Sequence, residues 1–452
     1  MGMFGKKYEK SKRKTNQKYI LKYVDNPKWG KRRKYRKAVF SLCVTAAALL
    51  LVLAGWGMLK LAGNREGKSV EAWSQDVLTN LEDAAEKVRE AEETENGNGE
   101  EDAAAGERGS AEAAGADDRR IGDVKVKGIY VTGPMAGNEA FGELLELVDA
   151  TELNTMVIDV KNDEGKISWQ MDLESAREIG ACTPYIGDIG SFMRTLEEHG
   201  IYTIARIVCF KDPCLAGARP ELALKKADGT PVMDGGGMAW VNPYREEVWE
   251  YLAEVAEASV EAGFDEIQFD YVRFPIGEDA DAAEYGVDMQ ETEKQQAISG
   301  FLEYAVNRLH GKGIVVTADV FGTIIGSETD VEQVGQDYAK LGEIIDVLSP
   351  MVYPSHYGNG VFGLDIPDAH PYETVLAALN GSKGELEGIA EEKRAAVRPW
   401  LQAFTATWVN GHISYGGEQV RQQIQAVYDA GYEEWILWNA VNRYPADGLL
   451  PE

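Results

Sequence analysis

The run Phe264-Asp-Glu-Ile-Gln-Phe-Asp-Tyr-Val-Arg-Phe-Pro275 closes on an acid, a ring and a cation: Asp270, Tyr271 and Arg273. Its first half alternates as a strand does, so these groups fall where a buried strand meets a loop. A second acid, Asp319, ends the apolar run Ile314-Val-Val-Thr-Ala-Asp-Val-Phe321. Two acids facing one another can break a glycosidic bond. One protonates the leaving oxygen; the other attacks or stabilises the sugar carbon, or activates water. Asp270, as nucleophile or base, and Asp319, as acid or its partner, are the candidate catalytic residues.

Other apolar runs also end in polar groups. Asp159 and Lys161 close Val-Ile-Asp-Val-Lys, and Arg206 lies in the run from Tyr202 to Cys209. Tyr353 and His356 close Ser-Pro-Met-Val-Tyr-Pro-Ser-His; Gln402 follows Pro-Trp-Leu; Trp438 and Asn439 follow Trp-Ile-Leu. Charges inside apolar strands are costly unless paired or used. Asp159, Arg206, Asp270 and Asp319 are therefore expected in one shared mouth. Asp159, Lys161, Arg206, Arg273, Tyr353, His356, Gln402, Trp438 and Asn439 are the candidate sugar-binding residues. Tyr271, Tyr353, Trp400 and Trp438 offer flat faces for sugar rings. An arginine beside one carboxylate favours its charged form, and an apolar wall raises the pKa of the other. Structural alternatives stand beside these roles: Asp270 as the ion-pair partner of an arginine, Asp319 as an orienting residue. This chemistry needs no cofactor. No histidine or cysteine spacing suggests a metal, and the acidic loop Gly277–Asp288 lacks the glycine and terminal glutamate of a calcium loop.

Eight β-rich runs could carry these groups: Val126–Thr132, Thr155–Val160, Tyr202–Cys209, Glu266–Asp270, Ile314–Val320, Val347–Val352, Val397–Ala403 and Glu434–Trp438. Amphipathic stretches such as Asn138–Ala150, Asp188–His199, Glu246–Ala262, Glu291–Leu309, Val331–Gly342 and Gln419–Ala430 lie between them. Gly200, Gly263, Gly313 and Gly431 precede strands, as helix stops do. This alternation predicts a (β/α)8 TIM barrel, whose functional groups sit at the C-terminal strand ends. A doubly wound open sheet is the alternative, but no Gly-x-Gly-x-x-Gly follows the first strand.

The chain's net charge of −29 is unevenly spread. Residues 1–37 hold 15 basic and 2 acidic residues, against 31 and 73 in the rest. An acidic body of this kind repels nucleic acid. The basic tail is better explained by residues 38–59, a run of 22 residues without a charge. At ~1.5 Å per helical residue that run spans a bilayer core of ~30 Å. The basic tail then lies in the cytoplasm and the remainder outside the cell membrane, in a single-pass arrangement. Residues 60–120 read as a stalk: a helical stripe (Val70, Trp73, Val77, Leu81, Ala84), then a Glu/Ala/Gly tether too polar to fold. The globular domain occupies 121–452. Among its cysteines, Cys209 and Cys214 are close enough in sequence to pair.

The motifs Lys-Gly-Ile-Tyr-Val-Thr (127–132), Val-Ile-Asp-Val-Lys-Asn-Asp-Glu-Gly (157–165), Ile-Gln-Phe-Asp-Tyr-Val-Arg-Phe-Pro (267–275), Ser-Pro-Met-Val-Tyr-Pro-Ser-His-Tyr (349–357), Pro-Trp-Leu-Gln-Ala-Phe (399–404) and Leu-Trp-Asn-Ala (437–440) together resemble a bacterial glycoside hydrolase family known as domain of unknown function 4015. The resemblance implies a TIM barrel of the sugar-hydrolase superfamily on a secreted or membrane-anchored protein. Asp270 at the fourth strand end is similar to the nucleophile position of alpha-amylase-like enzymes. Asp265, Gln268 and Asp270 echo the chitinase-like strand, but Val272 stands where its glutamate acid is expected. The leading expectation is a membrane-anchored extracellular glycoside hydrolase acting on a cell-envelope or environmental polysaccharide. The alternative is a non-catalytic glycan-binding barrel that anchors to the cell wall.

Overall fold

The computed structural model describes residues 124–287 and 293–451. The basic tail, the apolar span 38–59 and the stalk lie outside the described residues. Among the described residues no helix is long and apolar enough to cross a membrane.

Eight staves are built from β1 (Lys127–Val131), β2 (Thr155–Lys161), β3 (Tyr202–Val208), β4 (Glu266–Asp270), β5 (Val315–Phe321), β6 (Val347–Met351), β7 (Ala396–Val397 and Trp400–Gln402) and β8 (Trp435–Trp438). Each pairs in parallel with the next, and β8 pairs with β1, so the sheet closes. The expected (β/α)8 barrel is the fold, and the open sheet is excluded. The seventh stave is broken at Arg398-Pro399. Proline has no N–H to give a ladder, and only the carbonyl of Pro399 is used, accepting from the N–H of Ile436.

Period-two alternation sorts the strand residues. Ile129, Ile158, Ala205, Phe269, Leu348 and Leu437 face outward into the main core beneath the helices. Tyr130, Val157, Ile204, Trp400 and Ile436 form a second, smaller cluster, which is the lumen. One end of the lumen is closed by buried ions: Arg398 bridges Glu266 and Glu434 at 2.6 and 2.8 Å, and Thr317 also donates to Glu266. The opposite end holds the candidate site.

The outer layer includes α1 (Phe141–Asp149), α2 (Ile189–Glu198), α3 (Glu246–Glu261), α4 (Lys294–His310), α5 (Glu328–Val334), α6 (Tyr338–Gly342), α7 (Pro371–Leu386) and α8 (Gly417–Asp429). The single helix expected over Val331–Gly342 is two, because Gly335 turns left-handed at φ 77° and stops the first. The sequence reading names no helix at α7; Gly381 and Gly384 dilute its signal. Gly381 is required there, since a Cβ would come within 2.9 Å of Ile325.

Candidate active site

Arg206, midway along β3's inward face, is the hub. Its Nη1 donates to Oδ1 of Asp159 on β2, and its Nε donates to Oδ2 of Asp270 on β4 at 2.9 Å. Nη2 reaches the same oxygen at 2.5 Å. The register explains the meeting: Asp159 pairs with Arg206, and Arg206 with Gln268, two residues before Asp270 on the same face. The planar guanidinium suits two carboxylates at once. Tyr130, one residue before the end of β1, donates its hydroxyl to the other oxygen of Asp159 at 2.5 Å. Burial lifts the Asp159 pKa above its ordinary value, with Arg206 and Tyr130 opposing that rise.

Asp319 lies on β5, next to β4; Phe269 pairs with Ala318, so the residues that follow stand level. Its carboxyl is only 1% exposed. Burial, and then the charge of Asp270, push its pKa well above the carboxylate range. Trp400 on β7 donates its indole N–H to Oδ1 at 2.6 Å, while Oδ2 has no hydrogen-bond partner among the described residues. The Asp270 side chain, 10% exposed, is more accessible. The mouth thus combines an ion-paired carboxylate with a buried carboxyl whose neutral form is favoured and whose Oδ2 lacks a partner, the asymmetry that acid–base cleavage uses.

Aromatic rings line one side of this mouth. Trp438 stacks on Tyr130 at 6.1 Å and 17°, and Tyr353 packs against Trp438 at 6.0 Å. Phe404 meets Trp438 edge-on and stacks on Trp408. Trp438, half-buried, keeps a solvent-facing portion; Trp400, expected as a sugar platform, is instead buried beside Asp319.

Several residues expected to bind sugar have their polar atoms occupied by the protein. Lys161 is fully buried, paired with Asp212 at 2.8 Å and donating to the carbonyl of Val208. A bulge between Asp159 and Lys161 separates their directions. Arg273 is 2% exposed and lies against the rings of Trp240, Tyr271 and Phe321. Gln402 accepts from the N–H of Ser355 and donates to Asp368 and to the carbonyl of Phe404. Asn439 donates to the carbonyls of Ala403 and Arg443. His356 touches the Tyr353 ring at 5.1 Å, and burial lowers its pKa to about 4. These residues shape the loops around the mouth.

Two further residues, Tyr130 and Gln336, complete the site. Tyr130 lies one residue before the end of β1 and two before the end of the run Val126–Thr132, so attention to the final strand residues alone passes it by. Gln336 could not be found that way either, since it lies between α5 and α6. Its amide donates to the carbonyls of Val272 and Asp319 at 3.2 and 3.0 Å. It accepts from the N–H of Phe321 at 3.0 Å, so one buried side chain ties the β4 loop to β5. Cys182, Cys209 and Cys214 are free thiols, so the sequence-adjacent pair is not bridged. No group of metal-ligating side chains occurs among the described residues.

Residues 128–444 match a family model described as "Putative glycosyl hydrolase domain". A hypothetical protein from Ruminiclostridium thermocellum is 37% identical, over 42% of this chain and 97% of that one, with a TM-score of 0.39. The glycoside hydrolase domain of PgaB (BpsB) from Bordetella bronchiseptica is 13% identical, over 70% of this chain and 94% of that one, at 0.49. The spore cortex-lytic enzyme SleL of Bacillus megaterium is 12% identical, over 72% and 73%, at 0.42. Comparison with curated proteins gives no match.

Proposed function

Because the chain belongs to the glycosyl hydrolase family of domain of unknown function 4015, we propose that it hydrolyses glycosidic bonds with the Asp270–Asp319 pair. The observation that carries this reading is the unpartnered Oδ2 of Asp319, buried beside the ion-paired Asp270, where burial and the Asp270 charge favour its neutral form. An O–H without an acceptor in the free protein gains one when a glycosidic oxygen arrives. Asp319 then gives its proton to the leaving oxygen. Asp270, held by Arg206, meets the sugar carbon directly or activates water. Half-buried Trp438 offers a ring face to the sugar, and Tyr353 and Tyr130 back it. The substrate is a cell-envelope or environmental polysaccharide. Residues 38–59 hold the barrel outside the cell membrane, the orientation that the basic tail favours.

The test is reducing-end release by the full-length protein from purified cell-wall polysaccharides. Asp270→Asn keeps the side chain's shape and removes its negative charge. Loss of turnover with glycan binding retained supports hydrolysis. Binding by the wild type without any reducing-end release would support the anchoring barrel instead.

A further inference from the structure

The peptide N–H of Tyr271 donates to Oδ1 of the preceding residue, Asp270, across 2.5 Å. Tyr271 has φ 49°, a left-handed conformation uncommon for residues other than glycine. Such a residue persists only where its surroundings over-determine it, and here they do. The N–H of Cys209 donates to the carbonyl of Asp270 at 2.7 Å, and that of Phe210 to the carbonyl of Tyr271 at 3.3 Å. These bonds carry the β3–β4 ladder past the strand end. The Tyr271 ring has two cations against it, Lys211 Nζ 4.9 Å and Arg273 Cζ 5.3 Å from its centroid. Both cations are anchored. Lys211 pairs with Asp234 at 3.0 Å, and Arg273 also packs on Trp240 and Phe321.

Resting on the reading of Asp270 as a catalytic carboxylate, we propose that Tyr271 is the positioning residue that fixes its orientation. One carboxylate oxygen is taken by the Tyr271 N–H and the other by Arg206. Rotation of the carboxylate would break both contacts, so one edge stays aimed at the mouth. The ring acts at one remove: wedged between anchored cations, it holds the backbone in the turn that aims the N–H. This gives Arg273 a role as a brace under Tyr271.

Three variants separate this role from substrate contact. Tyr271→Phe keeps the ring and the turn. Tyr271→Gly removes the ring but adopts φ > 0 without strain. Tyr271→Val favours an extended backbone and withdraws the N–H. The assay is kcat and KM of the full-length protein on the substrate it turns over fastest in a panel of 4-methylumbelliferyl glycosides. Misplacing a reacting group by about 1 Å costs about 100-fold in rate, so that loss in kcat is expected for Tyr271→Val, with KM within about twofold. Tyr271→Phe should match the wild type, and Tyr271→Gly should recover most of the valine loss. Equal losses for valine and glycine would overturn the proposal, as would a KM rise in Tyr271→Phe and Tyr271→Gly at constant kcat. A crystal structure of Tyr271→Val supplies a readout without substrate, and an unchanged Asp270 carboxylate in it would also overturn the proposal. Should the valine variant not fold, Tyr271→Ala takes its place. Asp270→Asn, assayed in parallel, isolates the catalytic reading: full turnover there rejects that reading, while the crystal structure still decides the positioning.

Discussion

The indole N–H of Trp400 donates to Oδ1 of Asp319 at 2.6 Å, from a strand on the far side of β6. This bond stabilises the charged form of Asp319 against the burial and the Asp270 charge that raise its pKa. Trp400→Phe removes the donor and leaves the ring volume largely filled. The pKa of Asp319 should then rise further. If protonated Asp319 is the general acid, the basic limb of the kcat profile moves to higher pH. A pH–rate series of the two proteins measures that shift, and a limb that moves to lower pH would contradict the assignment.

Asp319 couples activity to stability with opposite signs. Its pKa is raised on folding, so its favourable contribution is complete below the unfolded value near 3.8. That contribution is lost as pH rises toward the folded value. Above the unfolded value the unfolded chain ionises this group more readily than the folded chain, which favours unfolding. Asp319→Asn cannot ionise in either state. It should be more stable than the wild type at pH 7 in a urea titration, and the difference should vanish below pH 3.8. Turnover should fall by about 10²–10⁴-fold, the usual worth of a general acid. A variant that is both more stable and inactive would show that the loss is chemical and not a folding defect.

Arg206 tests the hub. Removing it as Arg206→Met leaves Asp159 and Asp270 buried without their cation. Breaking a buried pair in this way costs about 3–5 kcal/mol. Arg206→Lys keeps the charge but presents one ammonium where three guanidinium nitrogens serve two acids. Urea midpoints should therefore rank wild type, lysine, methionine. Activity should already fall at least about tenfold in the lysine variant, because the fork that orients Asp270 is gone. Equal activity of arginine and lysine would mean that only charge matters there.

The staves were legible because barrel strands are short, apolar and closed by polar residues. Glu266–Asp270 has the bounds read from its sequence, and the other seven differ by a few residues at their ends. The hub was legible for the same reason: an arginine and three acids embedded in apolar runs had to meet or be paired. What sequence could not give was the direction of groups just beyond a strand end. Lys161 lies two residues after Asp159, yet the bulge between them turns it to Asp212. Arg273 lies two residues after the left-handed Tyr271, a turn that no strand pattern reveals. Gln402 and Asn439 bind loop backbone, a use that requires knowing where the loops return. Gln336 reaches the site across a helix break, so only tertiary structure reports it.

His356 supplies an acid-sensitive step separate from the carboxylates. Burial lowers its pKa from 6.5 to about 4 in the folded protein. Its ring contacts include the Ser355 hydroxyl at 3.1 Å and the Tyr353 ring in an edge arrangement, neither of which carries a negative charge. Above pH 6.5 both folded and unfolded states are neutral at this residue, and its contribution is complete. As pH falls through the unfolded value, only the unfolded chain gains the proton, so stability declines until the folded value near 4 is reached. The interval corresponds to about 3 kcal/mol at most. His356→Gln should flatten that part of the pH–stability curve while leaving the decline due to other groups. Urea midpoints taken between pH 7 and pH 4 measure the difference. Parallel curves for the two proteins would mean that the imidazole accepts its proton as readily in the fold as in the unfolded chain.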